Sequence, residues 1–458
     1  MFSDIIIIGG GAAGLLAAIA AGKTLREAGK GKEDVKVTVL EKMPRVGRKI
    51  MISGKGRCNF TNVKEWDEFS SHVRTKRNFL KPAFFEFGPE DILSLLQDEA
   101  GVKCVVERGD RAFPASHKAS DVVDALRNAA AKNGASILNG IEARQIVCNE
   151  SASGPVFMIS TEGTRTYSCH CLIVCTGGLS YPGTGSTGDG YSFAKSFGHP
   201  LVDTFPSLTA MVPRGYKNGE PDGEGHLHRS TPLTESGKEL CSVHLRNITL
   251  SLVVDGKVIG EEFGEMDFTD GGIEGPVGFS LSRDAVAAIR RKAADVRYRL
   301  DLKSAITEEE LTERISRLWK DALSQFGGQR KIAAAMDVLS KLLPKELVRP
   351  LRRAFPQILS DKVLQKKGLD CKGLCSALKE WDFPLVGYVG YERCVVTAGG
   401  VDTSEVNAKS MESRLQEGLF FAGEVLDIDC DTGGYNLQAA FSTGFLAGRI
   451  AARKLLQI

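Results

Sequence analysis

Apolar and polar positions change period along the chain, and the changes divide it. Residues 5–8 are four isoleucines in a row, a β-branched run that suits a central parallel strand buried on both faces. Glycines follow at once, and then Leu-Leu-Ala-Ala-Ile-Ala at residues 15–20 predicts a buried helix. Residues 35–40, 172–175 and 419–422 are further short apolar strands, and residues 437–456, rich in Ala, Leu and Ile, predict a closing helix. The middle reads differently. Residues 208–213, 242–245, 249–254 and 257–263 alternate with polar turns, which predicts barrel-like antiparallel structure. Residues 285–289, 311–326 and 332–343 have helical spacing with charged opposite faces. Thr307 and Glu310 are spaced as a capping box, and Pro344, Pro350 and Pro356 are expected to break the later helices. Strand character returns at residues 385–396.

Residues 5–22 carry no charge, which superficially resembles a signal peptide or a membrane span. No basic stretch precedes them, only the acidic Asp4, and the glycines interrupt the run after four isoleucines. A strand, a glycine turn and a helix account for it better.

Composition narrows the class. The chain has 458 residues, of which 42% are hydrophobic and 25% charged, as in a folded protein of about three domains. Its 59 Lys and Arg against 57 Asp and Glu leave a net charge of +2. That balance excludes a strong global field for nucleic acid or anionic lipid while leaving room for a local basic patch. Glycine is the outlier, with 50 residues in short runs. The 11 cysteines include no pair with a two-residue gap, so neither a redox dithiol nor a zinc knuckle is expected. No metal site is assigned, and reduced thiols point to a cytoplasmic protein.

The glycine turn carries the first specific chemistry. Gly9-Gly10-Gly11-Ala12-Ala13-Gly14 matches GxGxxG between a strand and a helix. Gly9 permits the tight turn, Gly11 lets backbone approach a pyrophosphate, and Gly14 lets helix and strand pack closely. The motif requires an acidic residue after the second strand, and Glu41 stands there to accept ribose hydroxyls. It comes late because polar residues 23–34 intervene, which read as a surface loop extension. Residues 51–62, with Arg45, Arg48 and Lys49 upstream, are rich in donors and punctuated by Gly54 and Gly56. They suit either a second polar part of a large cofactor or a solvated basic loop. A second GxGxxG at residues 183–188 lacks a strand immediately before it and is expected to be a polar loop, not a nicotinamide domain.

Four segments in this order, the opening turn, residues 48–62, Thr176-Gly177-Gly178-Leu179-Ser180-Tyr181-Pro182 and residues 423–438, resemble the BaiN/YhiN-type flavoproteins, NAD(P)/FAD-dependent oxidoreductases. Lys55 and Cys430 stand where such proteins usually have Gly. The resemblance implies an α/β fold: a split Rossmann-type FAD-binding domain with an inserted β-barrel plus helical subdomain. The expected parts are residues 1–203 and 397–458 for the FAD domain, 204–280 and 377–396 for the barrel, and 281–376 for the helical subdomain. The cofactor contacts implied are Gly9, Gly11, Ala12, Ala13, Gly14, Glu41, Lys42, Arg48, Lys49, Ser53, Gly54, Arg57, Asn59, Ala143, Thr176, Gly177, Gly178, Gly423, Glu424, Gly434, Tyr435, Asn436 and Leu437. Ala143 would lie near adenine, and the last four at the start of the closing helix, beside the anionic edge of a reduced flavin.

The activity expected is an FAD-dependent oxidoreductase that passes hydride from NAD(P)H to a small organic substrate, with an activated C=C bond as the acceptor. An oxygen-using oxidase of a small amine and an FAD-binding protein without redox function are the alternatives. Arg57, Asn59, Tyr181 and Tyr435 are the candidate polar groups, and no catalytic acid or base is assigned. Neither nucleic acid nor membrane is expected as a partner.

Overall fold

The computed structural model describes residues 1–31, 33–151, 154–162 and 165–457. Its contacts divide the chain into two compact units, residues 1–205 with 395–458, and residues 206–394.

The first unit is built on a five-stranded sheet. Its order is Leu419–Phe421, Cys171–Val174, Ile5–Ile8, Val37–Glu41, Ser136–Asn139, and every pairing is parallel. The three strands at its centre are buried residue by residue, which is why they read as unbroken apolar runs. The opening helix, Ala12–Glu27, follows the glycine turn. It runs on through Lys23 to Glu27 before the chain loops, so only the later part of the polar stretch 23–34 is a loop, and Lys32 lies outside the described residues. Residue 25 explains the difference: Leu25 is buried and holds that extra turn on the core.

The terminal helix, Tyr435–Leu456, lies against the opening helix at very close range. A Cβ added to Gly444 would sit 2.2 Å from the carbonyl oxygen of Ala13, and one added to Gly448 would sit 2.0 Å from that of Ala17. Gly-xxx-Gly on one helix thus meets Ala-xxx-Ala on the other, backbone on backbone. Two smaller three-stranded antiparallel sheets also belong to this unit. One comprises Ala143–Ser151, Gly154–Thr161 and Thr166–Cys169; the other comprises Thr61–Asn62, Arg111–Pro114 and Cys104–Glu107.

The second unit contains a closed barrel. The short strand Met211–Pro213 pairs on one side with Ile273–Glu274 and on the other with Trp381–Val389. Lys257–Phe268, His244–Val254 and Val296–Asp301 complete the ring between them. The helix Gly275–Arg290 packs on that sheet. Residues 281–376 are therefore not wholly helical: Val296–Asp301 is a barrel strand, alternately buried and half-buried. The helical part begins at Glu308–Gln325, where Thr307 and Glu310 form the expected reciprocal cap. Lys331–Leu342, Lys345–Ala354, Pro356–Leu359, Asp361–Lys367 and Cys371–Lys379 follow. Pro344 and Pro356 stand at helix starts, but Pro350 lies inside Lys345–Ala354 and does not end it. It is buried with Leu347 and Leu351, and that packing offsets the hydrogen bond its ring cannot donate.

The helix–helix contact makes a direct prediction. Gly448→Val should lower unfolding free energy by about 1–3 kcal/mol, because backbone rather than a flexible side chain must yield. Urea unfolding of the purified variant measures it, and wild-type stability would contradict the close contact.

Candidate functional site

The parallel strands all deliver their C-terminal ends to one edge of the sheet, where ligands bind in such folds. Ile8 runs into Gly9, whose φ of +101° is costly for any residue with a side chain. A Cβ there would also strike the Cys175 carbonyl oxygen at 2.4 Å. Gly9 is thus wedged against the turn that begins Thr176-Gly177-Gly178. Gly14 closes on the Gly9 carbonyl oxygen in the same way, at 1.8 Å for an added Cβ. Gly11 differs. It caps the opening helix with extended backbone (φ −81°, ψ −162°), and nothing lies within 4 Å of the place its Cβ would take. No side chain caps this helix and its first turn holds no acidic residue. Free amides and the positive end of the helix dipole therefore face open space beside Gly11, Ala12 and Ala13, which suits a diphosphate.

Glu41 is buried at the end of the second strand. Its carboxylate accepts the Gly10 amide at 2.8 Å and the Met43 amide at 2.7 Å. Burial raises its pKa, opposed by those two amides and by the charges of Lys42 and Arg48. Each carboxylate oxygen keeps a second lone pair for a hydroxyl. The Ile141 amide donates to the Glu41 carbonyl at 2.9 Å, which brings the chain leading to buried Ala143 alongside. Lys42 turns away, pairing with Asp189 at 2.5 Å and with Thr187. Arg48 is exposed in the first turn of Arg48–Ile52.

A second cluster joins four segments distant in sequence. Lys49 pairs with Glu424 at 2.5 Å and also donates to Ser180. The Ser180 hydroxyl donates to Glu424 at 2.5 Å, and the Thr397 amide donates to the same carboxylate at 2.8 Å. The amides of Leu179 and Ser180 in turn donate to the Thr397 hydroxyl at 2.9 and 3.1 Å. Gly423 sits between the two helices, its amide donating to Thr443 at 3.0 Å.

Residues 53–62 form an irregular loop. Ser53 donates to the Ile50 carbonyl at 2.7 Å, and Gly54 and Lys55 both have left-handed backbone. Lys55 bears the ~1–2 kcal/mol cost of that conformation where a glycine would not. Asn59 has a buried Oδ1 with no hydrogen-bond partner among the described residues. A buried acceptor left unmatched is costly, so Asn59 could accept an N–H of a bound molecule. Arg57 is otherwise engaged: it pairs with Glu107, donates to His117 at 3.1 Å and stacks over Phe113 at 4.4 Å.

The terminal helix starts beside this loop. Gly434 is its left-handed cap, with no side-chain cap and no acidic residue in the first turn. Tyr435 is buried, stacked on His72 at 4.3 Å and edge-on to Phe69 at 5.0 Å. Its ring is therefore structural, and burial holds its hydroxyl protonated. Asn436 also works inward. Its Oδ1 accepts the Cys430 amide at 2.9 Å, and its Nδ2 donates to the carbonyls of Cys430 and Asp431 at 2.9 and 3.0 Å. Side chains at Arg57, Tyr435 and Asn436 thus shape the site, leaving backbone of 434–437 to face a ligand. Sequence reasoning passed over Thr397, Gln438 and Thr61. Thr61 donates to Gln438 at 2.7 Å, and Gln438 donates to the Phe87 carbonyl at 3.1 Å. Thr61 and Gln438 lie within segments 48–62 and 423–438, but nothing local marks Thr397. Tyr181 has left-handed backbone after the glycines (φ +52°), and the second GxGxxG leads through a short turn into the helix Asp189–Ser196. Among the described residues no group of side chains could hold a metal ion, no helix is long and apolar enough to cross a membrane, and none of the 11 cysteines is in a disulfide.

The open cradle and the buried thiols can each be tested. Gly11→Val should fold normally, since the protein leaves its Cβ room, yet lose FAD; bound flavin absorbance and thermal unfolding read the two effects separately. Burial pushes the Cys58 and Cys171 thiols up to about 12 and raises Cys169, Cys175 and Cys430 as well. At pH 8 these five should resist a thiol-specific disulfide reagent in the folded protein and react after denaturation. Rapid modification of native Cys58, read by mass spectrometry, would count against the packing of its loop.

The family model described as "HI0933-like protein Rossmann domain" matches residues 3–450. A Haemophilus influenzae protein named ribosomal RNA dihydrouridine synthase is 30% identical over 454 residues, 99% of each chain. A Clostridium scindens protein named 3-dehydro-bile acid delta(4,6)-reductase is 28% identical over 454 residues, 98% of each chain. In fold, the chain is similar to 3-ketosteroid delta1-dehydrogenase from Sterolibacterium denitrificans, at TM-score 0.50 and 12% identity over 99% of this chain and 100% of that one. An open phosphate cradle, a buried acidic partner one strand away and a family match along nearly the whole length agree: the chain belongs to the HI0933-like Rossmann-domain family and is an FAD-dependent oxidoreductase.

Proposed function

We propose that the chain reduces a C=C bond conjugated to a carbonyl, with NAD(P)H as electron donor and FAD as carrier. The observation that carries this reading is what two full-length relatives share. One is named for dihydrouridine, which is uridine with its 5,6 double bond reduced; the other for reduction of a bile-acid 4,6-diene. Both bonds are polarised by a carbonyl, so the same chemistry serves two carriers. When bound, FAD would supply two-electron hydride chemistry between a nicotinamide donor and the conjugated C=C bond.

The protein's part is position and field. The amides following Gly9 and Gly11, through Ala12, Ala13 and Gly14, would hold the diphosphate, with Arg48 near the same helix end. Glu41 would orient the adenosine ribose, and the backbone at Ala143 the adenine. Asn59 Oδ1 would accept an imide N–H of the ring system. The Lys49–Ser180–Glu424 cluster and Thr176, Gly177, Gly178 and Gly423 would form the wall beside it, backed by Ser53 and Gly54. The uncapped start of the terminal helix at Gly434–Leu437 would favour negative charge on the reduced ring. Lys42 would act from outside, through Asp189. The absence of a cysteine pair with redox spacing favours direct transfer over a dithiol relay.

An anaerobic titration tests the donor. NADH or NADPH should bleach the flavin, and a 3-keto-4-ene steroid or a uridine-containing RNA should restore its colour, with the product gaining two hydrogens by mass spectrometry. Bleaching that only oxygen reverses would replace this reading with an oxidase.

A further inference from the structure

Charge is unevenly spread in the second unit. Residues 330–379 hold twelve Lys and Arg against four Asp and Glu, a formal +8, although the whole chain carries only +2. The rest of the chain is therefore −6, and the near-neutral total conceals the segregation. Amphipathic helices place much of this charge outward. In Lys345–Ala354 the buried residues are Leu347, Pro350 and Leu351. At 100° per residue, Lys345, Arg349 and Arg352 fall on the opposite face. In Asp361–Lys367 the buried residue is Leu364, and Lys362 and Lys366 point away from it one turn apart. Some of the cations are neutralised: Arg349 and Arg353 by Glu239, and Arg352 by Asp361. Lys345, Lys362, Lys366 and Lys372 are exposed and have no ion-pair partner among the described residues.

A charged face is usually just solvated. Here the unpaired lysines are concentrated in one segment of an otherwise acidic chain. A lipid surface is the weaker partner. Bilayer binding by a basic helix needs an apolar face to insert. Leu347, Leu351 and Leu364 are all fully buried, and no large apolar side chain among residues 308–379 is exposed. We propose that the exposed lysines of this basic segment dock the phosphate backbone of a structured RNA. The inference rests on the reading above, in which the reducible bond can be that of a uridine. It assigns to these lysines the sequence-independent part of the affinity, which polyphosphate contacts supply.

The test uses the FAD-loaded full chain and a labelled, uridine-containing RNA hairpin of about 30 nucleotides, long enough to present several phosphates. Binding is followed by fluorescence anisotropy across a salt series. Lys362→Glu/Lys366→Glu should weaken binding at least tenfold and flatten the log–log salt slope by about 2, one for each phosphate no longer neutralised. Lys257→Glu, on an exposed barrel hairpin, should change neither. Flavin bleaching by NAD(P)H and reoxidation by the steroid enone should be unaffected in all variants, so loss of docking and loss of chemistry are read apart. Unchanged hairpin affinity in the double variant overturns the proposal. So does an equal loss in Lys257→Glu, or lysine-dependent binding of phosphatidylglycerol vesicles in place of the hairpin.

Discussion

The structure depends on how closely two helices approach. Gly444 and Gly448 let the terminal helix rest on the backbone of Ala13 and Ala17 in the opening helix. That contact brings the start of each helix to the same edge of the parallel sheet. Both starts lack side-chain caps and first-turn acids, so two positive helix ends face one region. Backbone geometry alone thus suits this region to a long, doubly charged nucleotide. Larger residues at the crossing would move the second helix end away from the first.

Side chains then fix the loops between these backbone elements. Lys49, Ser180, Glu424 and Thr397 tie together segments up to 375 residues apart in sequence. Asn436 staples the loop at Cys430, and Tyr435 fills the space under His72. The proposed FAD site is therefore a backbone cradle held by a half-buried polar frame. Removing one member of that frame leaves charged partners unsatisfied in a half-buried setting, which is costly.

The sheet strands, the opening turn and the terminal helix were legible in the sequence because each is written locally: four isoleucines, a glycine turn, a run of small apolar residues. The capping box at Thr307 was legible for the same reason. Side-chain destinations were not. Arg57, Lys42 and Asn436 look like donors awaiting a ligand until Glu107, Asp189 and Cys430 are brought beside them by folding. Pro350 misled because its neighbours' burial, a tertiary property, outweighed its local preference. Val296–Asp301 was hidden between helices because a lone strand completes a barrel only through partners elsewhere in the chain. Net charge misled in another way: a sum over 458 residues hides a segment of fifty.

The split of the nucleotide-binding unit has a consequence for biosynthesis. Its sheet takes a strand from Leu419–Phe421, and its cradle a helix that begins at Tyr435. A ribosome extending the chain at about 5–20 residues per second must therefore pass through the whole intervening unit before the first glycine turn meets its partner. Cofactor loading is in this way deferred to the last moments of translation, and a polypeptide released early would emerge as an apoprotein with its opening helix uncovered.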